Sequence, residues 1–140
     1  MTLRVELVSP EKTLLSVDAT MVVCRTIGGG DIAFLTGHAP FVGALDVWPL
    51  EIKKSDGAFE VAAVHGGFIS VTDDNVRILS DLAERAGEID IARAETARAA
   101  AEAAMPSGDE ARGSAAAADL ARAEARLAAA RGGANVPAGH

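Results

Sequence analysis

The segment Glu84-Arg85-Ala86-Gly87-Glu88-Ile89-Asp90 marks an abrupt change of composition that decides the architecture of the chain. All five aromatic residues and the runs of β-branched residues precede it. From residue 88 to residue 131, alanine takes 19 of 44 positions, so this part favours helix but has little apolar surface to bury. The sequence therefore predicts a β-rich domain over residues 1–86, a helical part over residues 87–133 and a disordered tail over residues 134–140.

The first part carries the pattern of short strands. Leu3, Val5 and Leu7 alternate with polar residues, which is typical of a half-buried strand. Further strands are predicted at residues 13–18, 21–27, 49–54, 59–64, 68–72 and 75–80. Turn residues separate them, with Asp56-Gly57 as a tight hairpin signal. Short strands at this spacing, without helices between them, indicate an antiparallel β-sandwich or barrel.

The second part reads as two helices. Glu88 begins a run of helix-forming residues that ends before Pro106. Ser107, three residues before Glu110, has the spacing of a capping box that begins a second helix. That helix ends at Gly132-Gly133, and a connection of about five residues predicts an antiparallel helical hairpin.

The predicted hairpin has little to pack with. Its second helix presents Ala116, Leu120, Ala123 and Leu127 on one stripe, and its first helix offers mostly alanine. A buried methyl group contributes about 0.8 kcal/mol, against roughly 1.5–3 kcal/mol for leucine. We therefore hypothesise that the hairpin opens or relocates at small cost.

Charge and cysteine content narrow the class of protein. A net charge of −7 and an isoelectric point near 4.9 argue against a bulk electrostatic hold on nucleic acid or acidic lipid. Cys24 is the single cysteine, so an intramolecular disulfide is excluded. The start of the chain lacks the apolar core of a signal peptide, and no stretch has the roughly 20 apolar residues that cross a bilayer. We expect a cytosolic chain, or one bound to something on the cytosolic side.

No catalytic or metal site is expected. The three glycines at residues 28–30 precede no Lys-Ser or Lys-Thr pair and no helix, so they predict a turn and no phosphate-binding loop. His38 and His65 have no cysteine cluster to join them in a metal site, and Cys24 in an apolar strand indicates core packing. The loop predicted over residues 34–45 contains Gly37-His38-Ala39-Pro40-Phe41, and it either faces a partner or forms a buried corner.

The order of several motifs resembles the epsilon subunit of the bacterial F-type ATP synthase over almost the whole chain, to about residue 131. These motifs are Leu7-Val8-Ser9-Pro10-Glu11, Asp31-Ile32, Gly37-His38-Ala39-Pro40, Gly66-Gly67-Phe68, the strand at residues 76–80 and Ile89-Asp90-Ile91-Ala92-Arg93-Ala94. Each motif alone is loose, but their order and spacing together are specific.

The resemblance implies a sandwich of about ten strands and two helices in the central stalk of a rotary, proton-translocating enzyme. Such a subunit is non-catalytic, binds the gamma subunit and the c ring, and lies peripherally at the cytoplasmic face of the cell membrane. By position, Asp31 resembles the acid near the c-ring loops, where glutamate is more usual, and His38 resembles the residue at the gamma contact. The family's helices extend toward the catalytic alpha and beta subunits and restrain ATP hydrolysis. The competing hypothesis is a stand-alone ATP-sensing module.

The resemblance also implies a regulatory nucleotide, although no cofactor is required. Residues matching the ATP-binding motif of some epsilon subunits are Glu84, Ile89, Asp90, Arg93, Ala94, Arg122 and Arg126. Arg122 and Arg126 are four residues apart on one helix face, an arrangement that suits phosphate binding. A further arginine of the ATP-binding relatives is replaced by Ala100, with Arg98 nearby.

The same residues have a purely structural alternative. Asp90 would then interact with the helix dipole, and Ile89 would be packed. The arginines of the second helix would pair in solvent with Glu124 or Asp119.

Overall fold

The structure is a computed structural model that describes residues 2–132. This part of the chain forms seven strands followed by two α-helices. The elements are β1 (Leu3–Val8), β2 (Thr13–Thr26), β3 (Gly30–Leu35), β4 (Phe41–Lys54), β5 (Phe59–Thr72), β6 (Asn75–Leu79), β7 (Ala83–Arg85), α1 (Ile91–Ala103) and α2 (Ala115–Ala130). Single 3₁₀ turns at Ala86–Glu88 and Gly108–Ala111 precede the two helices. The predicted tail at residues 134–140 lies outside the described residues.

The strands form one sheet that closes on itself. Their order is β1-β6-β5-β4-β2-β3, an additional β1–β2 pairing closes the ring, and β7 pairs with β5. The pairings are antiparallel except for β1 with β6, which is parallel. The predicted class, a β-sandwich or barrel followed by two helices, is confirmed, and we call β1 to β7 the body.

The expected count of about ten strands is not found in the described residues, because several predicted short strands are continuous. The segments at 13–18 and 21–27 are both part of β2, and those at 59–64 and 68–72 are both part of β5. β5 bends within its length at Gly66-Gly67 instead of ending there. Gly67 has φ +121°, and a Cβ atom there would lie 2.0 Å from the carbonyl oxygen of Leu79. Only glycine fits at this bend.

The interior of the body follows the predicted alternation. Leu3, Val5 and Leu7 are fully buried, and Phe34 is the largest of the fully buried side chains. The expectation of a loop over residues 34–45 was wrong in extent, because β3 continues to Leu35 and β4 begins at Phe41. The loop is therefore confined to residues 36–40.

Both helices begin later than the sequence suggested. Glu88 belongs to a 3₁₀ turn, and α1 begins at Ile91 with Asp90 as its N-cap. Ser107 makes no side-chain capping bond. Ser114 caps α2 instead, accepting a 3.0 Å hydrogen bond from the Ala117 amide. The connection spans residues 104–114 instead of about five, because Gly108 and Gly113 adopt positive φ angles and limit the intervening helix to one turn.

The helix α2 lies against the outside of the body. Along β5, Ala62 and Val64 point into the interior, whereas Val61 and Ala63 point outward and pack against Ala129 of α2. The principal contact of α1 is with α2. This stacking brings the end of the body, the start of α1 and the second half of α2 together. No helix within residues 2–132 is both long and apolar enough to cross a membrane.

Candidate functional site

A cleft of about 460 Å³ lies where the body meets the two helices, and we call it the junction cleft. It is lined by Glu84, Glu88, Asp90, Arg93, Ala94, Ala97 and Arg126. Its residues come from β7, the following 3₁₀ turn, the start of α1 and the second half of α2. The cleft therefore changes shape if the helices move relative to the body.

An ion pair, which we call the Glu84–Arg126 bridge, crosses the junction cleft. Arg126 Nε donates a 2.6 Å hydrogen bond to Glu84 Oε1, and both side chains are 27% exposed. A charge-assisted bond at this exposure is stronger than a fully solvated ion pair. The bridge ties α2 to the last strand of the body.

The carboxylate of Glu84 has a second partner, His65 of β5. His65 Nε2 donates to the same Glu84 Oε1 at 3.1 Å, and the imidazole is only 4% exposed. Burial, and next the Arg126 cation, lower the pKa of His65 below its ordinary value of 6.5, against the opposing effect of Glu84. His65 is therefore neutral at pH 7, and its Nδ1 is buried without a hydrogen-bond partner among residues 2–132.

The start of α1 supplies one wall of the junction cleft. Asp90 Oδ1 accepts a 3.1 Å hydrogen bond from the Arg93 amide and so caps the helix. The Arg93 guanidinium makes no ion pair with the residues that the structure describes, and Ala94 is buried. Ile89 does not line the cleft but packs with Val61 and neighbouring residues. Ile89 is thus packed and Asp90 supports the start of the helix, as the purely structural interpretation of these two residues expected.

A second cavity, of about 690 Å³, runs between the two helices, and we call it the helix groove. Ala97 and Arg126 border both cavities, so the junction cleft and the helix groove adjoin each other. Arg122 lines the helix groove and pairs with Asp119 of its own helix, as the structural alternative expected. Ala100, the position of the missing arginine, lines it too.

The structure therefore brings most of the predicted nucleotide-binding residues together. Glu84, Asp90, Arg93, Ala94 and Arg126 line the junction cleft, and Arg122 lines the adjoining groove. The contact of His65 with Glu84 was not predicted, because the sequence pattern was interpreted only as a possible metal ligand. The available signal was a histidine between the apolar run at 61–64 and a glycine pair.

The predicted partner-facing residues lie away from this cleft. Asp31, on β3, accepts a 2.9 Å hydrogen bond from Arg25 Nε on the neighbouring strand β2, and its side chain is 48% exposed. The Arg25 guanidinium stacks over the Trp48 ring at 3.9 Å. The Asp31 carboxylate is thus held in place and still reaches solvent.

The loop at residues 36–40 is partly exposed, and two of its residues contact the body. The Gly37 amide donates a 2.7 Å hydrogen bond to Asp74 Oδ1, and the His38 ring meets the buried Phe34 edge-on at 4.7 Å. Ala39 and Pro40 are exposed. Of the two interpretations of this loop, exposure favours a partner-facing surface over a buried corner.

An exposed apolar patch continues from this loop across the sheet. Val42 is 74% exposed, Phe68 58% and Leu79 46%. The register pairs Ala44 with Phe68 and Phe68 with Leu79, so these side chains share the face that Val42 also occupies. We call these three residues the apolar patch. The apolar patch was not predicted, because period-two alternation does not say which face of the sheet is covered.

The structure offers no metal-binding group of three or more acidic, histidine or cysteine side chains among residues 2–132. Cys24 is 3% exposed, and burial, aided by Asp31, raises the pKa of its thiol to about 12. Its thiol is a core group and carries no chemistry at neutral pH.

Comparison with known proteins identifies the body first. Residues 2–86 match the family model described as the ATP synthase delta/epsilon chain β-sandwich domain. The ATP synthase epsilon chain of Streptomyces griseus is 48% identical over 95 residues, which cover 68% of this chain and 76% of the relative. That of Streptomyces avermitilis is 50% identical over 93 residues, covering 66% and 74%. A solved chain from the Euglena gracilis mitochondrial ATP synthase, in an OSCP/F1/c-ring assembly, superimposes with a TM-score of 0.79 at 27% identity. The superposition covers 92% of this chain and 81% of the Euglena chain.

The body is thus the β-sandwich domain of a delta/epsilon-type chain, and the Euglena match extends the likeness to the helices. This protein belongs to the ATP synthase epsilon chain family. It is a non-catalytic rotor subunit of the rotary ATP synthase and takes part in ATP synthesis through that complex. The alternative of a stand-alone sensor is not favoured.

Proposed function

We propose that residues 1–86 form the docking domain, which binds the gamma subunit and the c ring, and that residues 87–133 form a regulatory helical hairpin. The observation that carries this proposal is the Glu84–Arg126 bridge, which is a specific but small tie between the two parts. Through the c ring, the chain lies peripherally at the cytoplasmic face of the cell membrane.

The two helices of this hairpin run antiparallel. The junction cleft joins the start of α1, at Arg93, to the second half of α2, at Arg126. The helix groove joins the end of α1, at Ala104, to the start of α2, at Ala115. Opposite ends therefore face each other, which supports the predicted hairpin.

The docking surface combines the loop at 36–40, the apolar patch and Asp31. Exposed apolar side chains of this size suit a stable protein contact, and we assign them, with His38, to the gamma subunit. Asp31 is exposed and held by Arg25, so it suits polar loops of the c ring. The relevant test is binding of the full chain to purified gamma subunit. Absence of a complex would contradict the docking assignment.

The hairpin restrains ATP hydrolysis when it leaves the body and reaches toward the alpha and beta subunits. Its six arginines supply guanidinium groups for carboxylates on those subunits. The test is ATP hydrolysis by the matching synthase depleted of this chain, after adding back either the full chain or a version ending at Gly87. We expect both to bind and only the full chain to lower turnover. Equal turnover with both bound would refute the regulatory role and leave the docking role standing.

The junction cleft and the helix groove together bind ATP as a regulatory ligand. Arg93, Arg122 and Arg126 border them, and the alanines between the helices leave room for a nucleotide. The phosphates lie along these cations, between Arg93 of the junction cleft and Arg122 of the helix groove, with Arg126 at the border of both cavities. ATP bound here contacts both helices and the body, and it therefore stabilises the docked hairpin.

Calorimetric titration of the full chain tests this site. Arg93→Met removes a cation of the junction cleft and keeps the backbone amide that Asp90 caps. We expect it to weaken ATP binding about tenfold, the loss of about 1.4 kcal/mol of charge-assisted bonding. Arg98→Met is the matched control, because Arg98 lies on the same helix, pairs with Glu102 and lines neither cavity. No heat at millimolar ATP with the unmodified chain would refute the site.

A further inference from the structure

The interaction between His65 and Glu84 has a consequence beyond nucleotide binding. Glu84 Oε1 accepts hydrogen bonds from both His65 Nε2 and Arg126 Nε, at 3.1 and 2.6 Å. β7 pairs with β5 within the body, so His65 and Glu84 stay together wherever the hairpin goes. Arg126 belongs to α2 and leaves with it. One carboxylate oxygen is therefore shared by a permanent partner and a removable one.

The protonation state of His65 is fixed by this arrangement. A carboxylate can only accept hydrogen bonds, so the proton of the neutral imidazole is on Nε2. Nδ1 then carries a lone pair, and no group in the described part of the chain donates a hydrogen bond to this buried atom. A proton placed on Nδ1 in the docked state would create a buried N–H that has no acceptor within residues 2–132 and a cation close to Arg126, which is strongly unfavourable.

The two cations near His65 also oppose its protonation in the docked state. On the side of α2 it faces the cations Arg126 and Arg122, and on the side of β7 it faces the carboxylate of Glu84. Asp81 borders a small cleft that His65 also lines. When α2 leaves, both cations go, the ring gains water, and Glu84 remains as the partner of an imidazolium.

We propose that His65 is a positioning residue for Glu84 and that its protonation releases the hairpin from the body. A proton binds Nδ1 when the hairpin is transiently undocked, and the imidazolium then occupies Glu84 in place of Arg126. The undocked state is thereby favoured as the pH falls. The inference rests on the hairpin being movable, as proposed above, but not on ATP binding.

The direction and the size of the effect follow from linkage. The docked state has the lowered pKa, so docking is fully favoured above the ordinary value of 6.5 and weakens as the pH falls below it. With His65 neutral in the docked state, the undocked-to-docked ratio rises by about tenfold between pH 7.5 and pH 5.5. Above pH 7.5 the ratio stays constant.

The test follows the hairpin in the isolated full chain by energy transfer between dyes on Ser55→Cys and Ala118→Cys, both exposed positions. The chain contains three histidines, and replacing His38 and His140 by glutamine leaves His65 as the only one. We expect the undocked fraction to increase about tenfold from pH 7.5 to pH 5.5 in this background. His65→Gln keeps a hydrogen-bond donor for Glu84 but does not titrate, so its signal should stay flat.

Two results would overturn the inference: an equal pH response with His65→Gln, or no response with His65 present. Arg126→Met is measured beside them and should undock the hairpin at both pH values. If Arg126→Met undocks the hairpin while His65→Gln keeps the same pH response as the chain with His65, the movable hairpin stands and the role of His65 is refuted. A second readout is the His65 pKa from its NMR titration. It should be higher in Arg126→Met than in the unmodified chain, and an equal pKa in both would contradict the coupling of His65 to Arg126.

Discussion

Replacing Arg126 with methionine should release the hairpin measurably. Methionine keeps a long apolar stem and a high helix propensity, but it removes the charge and the donors that reach Glu84. A charge-assisted hydrogen bond contributes about 1.5–3 kcal/mol, and an exposed ion pair about 0.2–1 kcal/mol. With both side chains 27% exposed, the bridge lies between these limits, at about 1.5 kcal/mol. The opening equilibrium of α2 should therefore rise about tenfold.

Amide hydrogen exchange of α2 in the isolated chain, at fixed pH above 7, measures this opening. Arg122→Met is the matched control, because Arg122 is one turn earlier on α2 and pairs with Asp119 of the same helix instead of with the body. It should change protection by less than about twofold, as expected for a pair within one helix. Equal effects of the two variants, or unchanged protection with Arg126→Met, would refute the assignment of the Glu84–Arg126 bridge as the tie between hairpin and body.

Three further perturbations have defined outcomes. Ala100→Arg places a cation in the helix groove beside Arg122 and should tighten ATP binding several-fold by calorimetry; weaker binding would contradict the placement of the phosphates. Phe68→Asp should abolish binding to the gamma subunit without changing the unfolding midpoint, whereas Ile91→Asp, on α1 and 49% exposed, should leave binding intact. Phe34→Ala removes the largest fully buried side chain and should lower the free energy of unfolding by about 3–5 kcal/mol in denaturant titration. A loss below 1 kcal/mol, on the order of a surface substitution, would place the core elsewhere.

Local sequence patterns were sufficient to predict most strands of the body. The alternation of Leu3, Val5 and Leu7 predicted a half-buried strand, and all three are fully buried. The same logic could not show that predicted segments join into 14-residue strands, because continuity through a bend depends on the partner strands. Gly66-Gly67 illustrates the difficulty, since a glycine pair that usually ends a strand here bends one.

The helix starts show a different limit. Ser107 has the capping-box spacing to Glu110, yet Ser114, without that signal, caps α2. Gly108 and Gly113 decide between them, because both adopt positive φ and interrupt the helix that Ser107 would begin. Propensity alone ranks both serines equally as caps.

The candidate site depends on contacts that no local pattern reveals. Arg126 bonds to Glu84, 42 residues earlier, and Glu84 bonds to His65, 19 residues before it. The family resemblance named Glu84 and Arg126 together, but their contact emerges only from the packing of α2 on the body. The sequence showed a histidine between an apolar run and a glycine pair, but only the structure shows that its Nδ1 is buried without a hydrogen-bond partner within residues 2–132.

The position of the hairpin within the assembled synthase tests the central claim most directly. Dyes on Ser55→Cys and Ala118→Cys report the distance between body and α2, and Cys24 does not interfere because it is buried with a pKa of about 12. We predict high energy transfer at millimolar ATP, where the hairpin is docked. We predict low transfer when ATP is exhausted and hydrolysis is restrained. A single distance under both conditions would contradict the account.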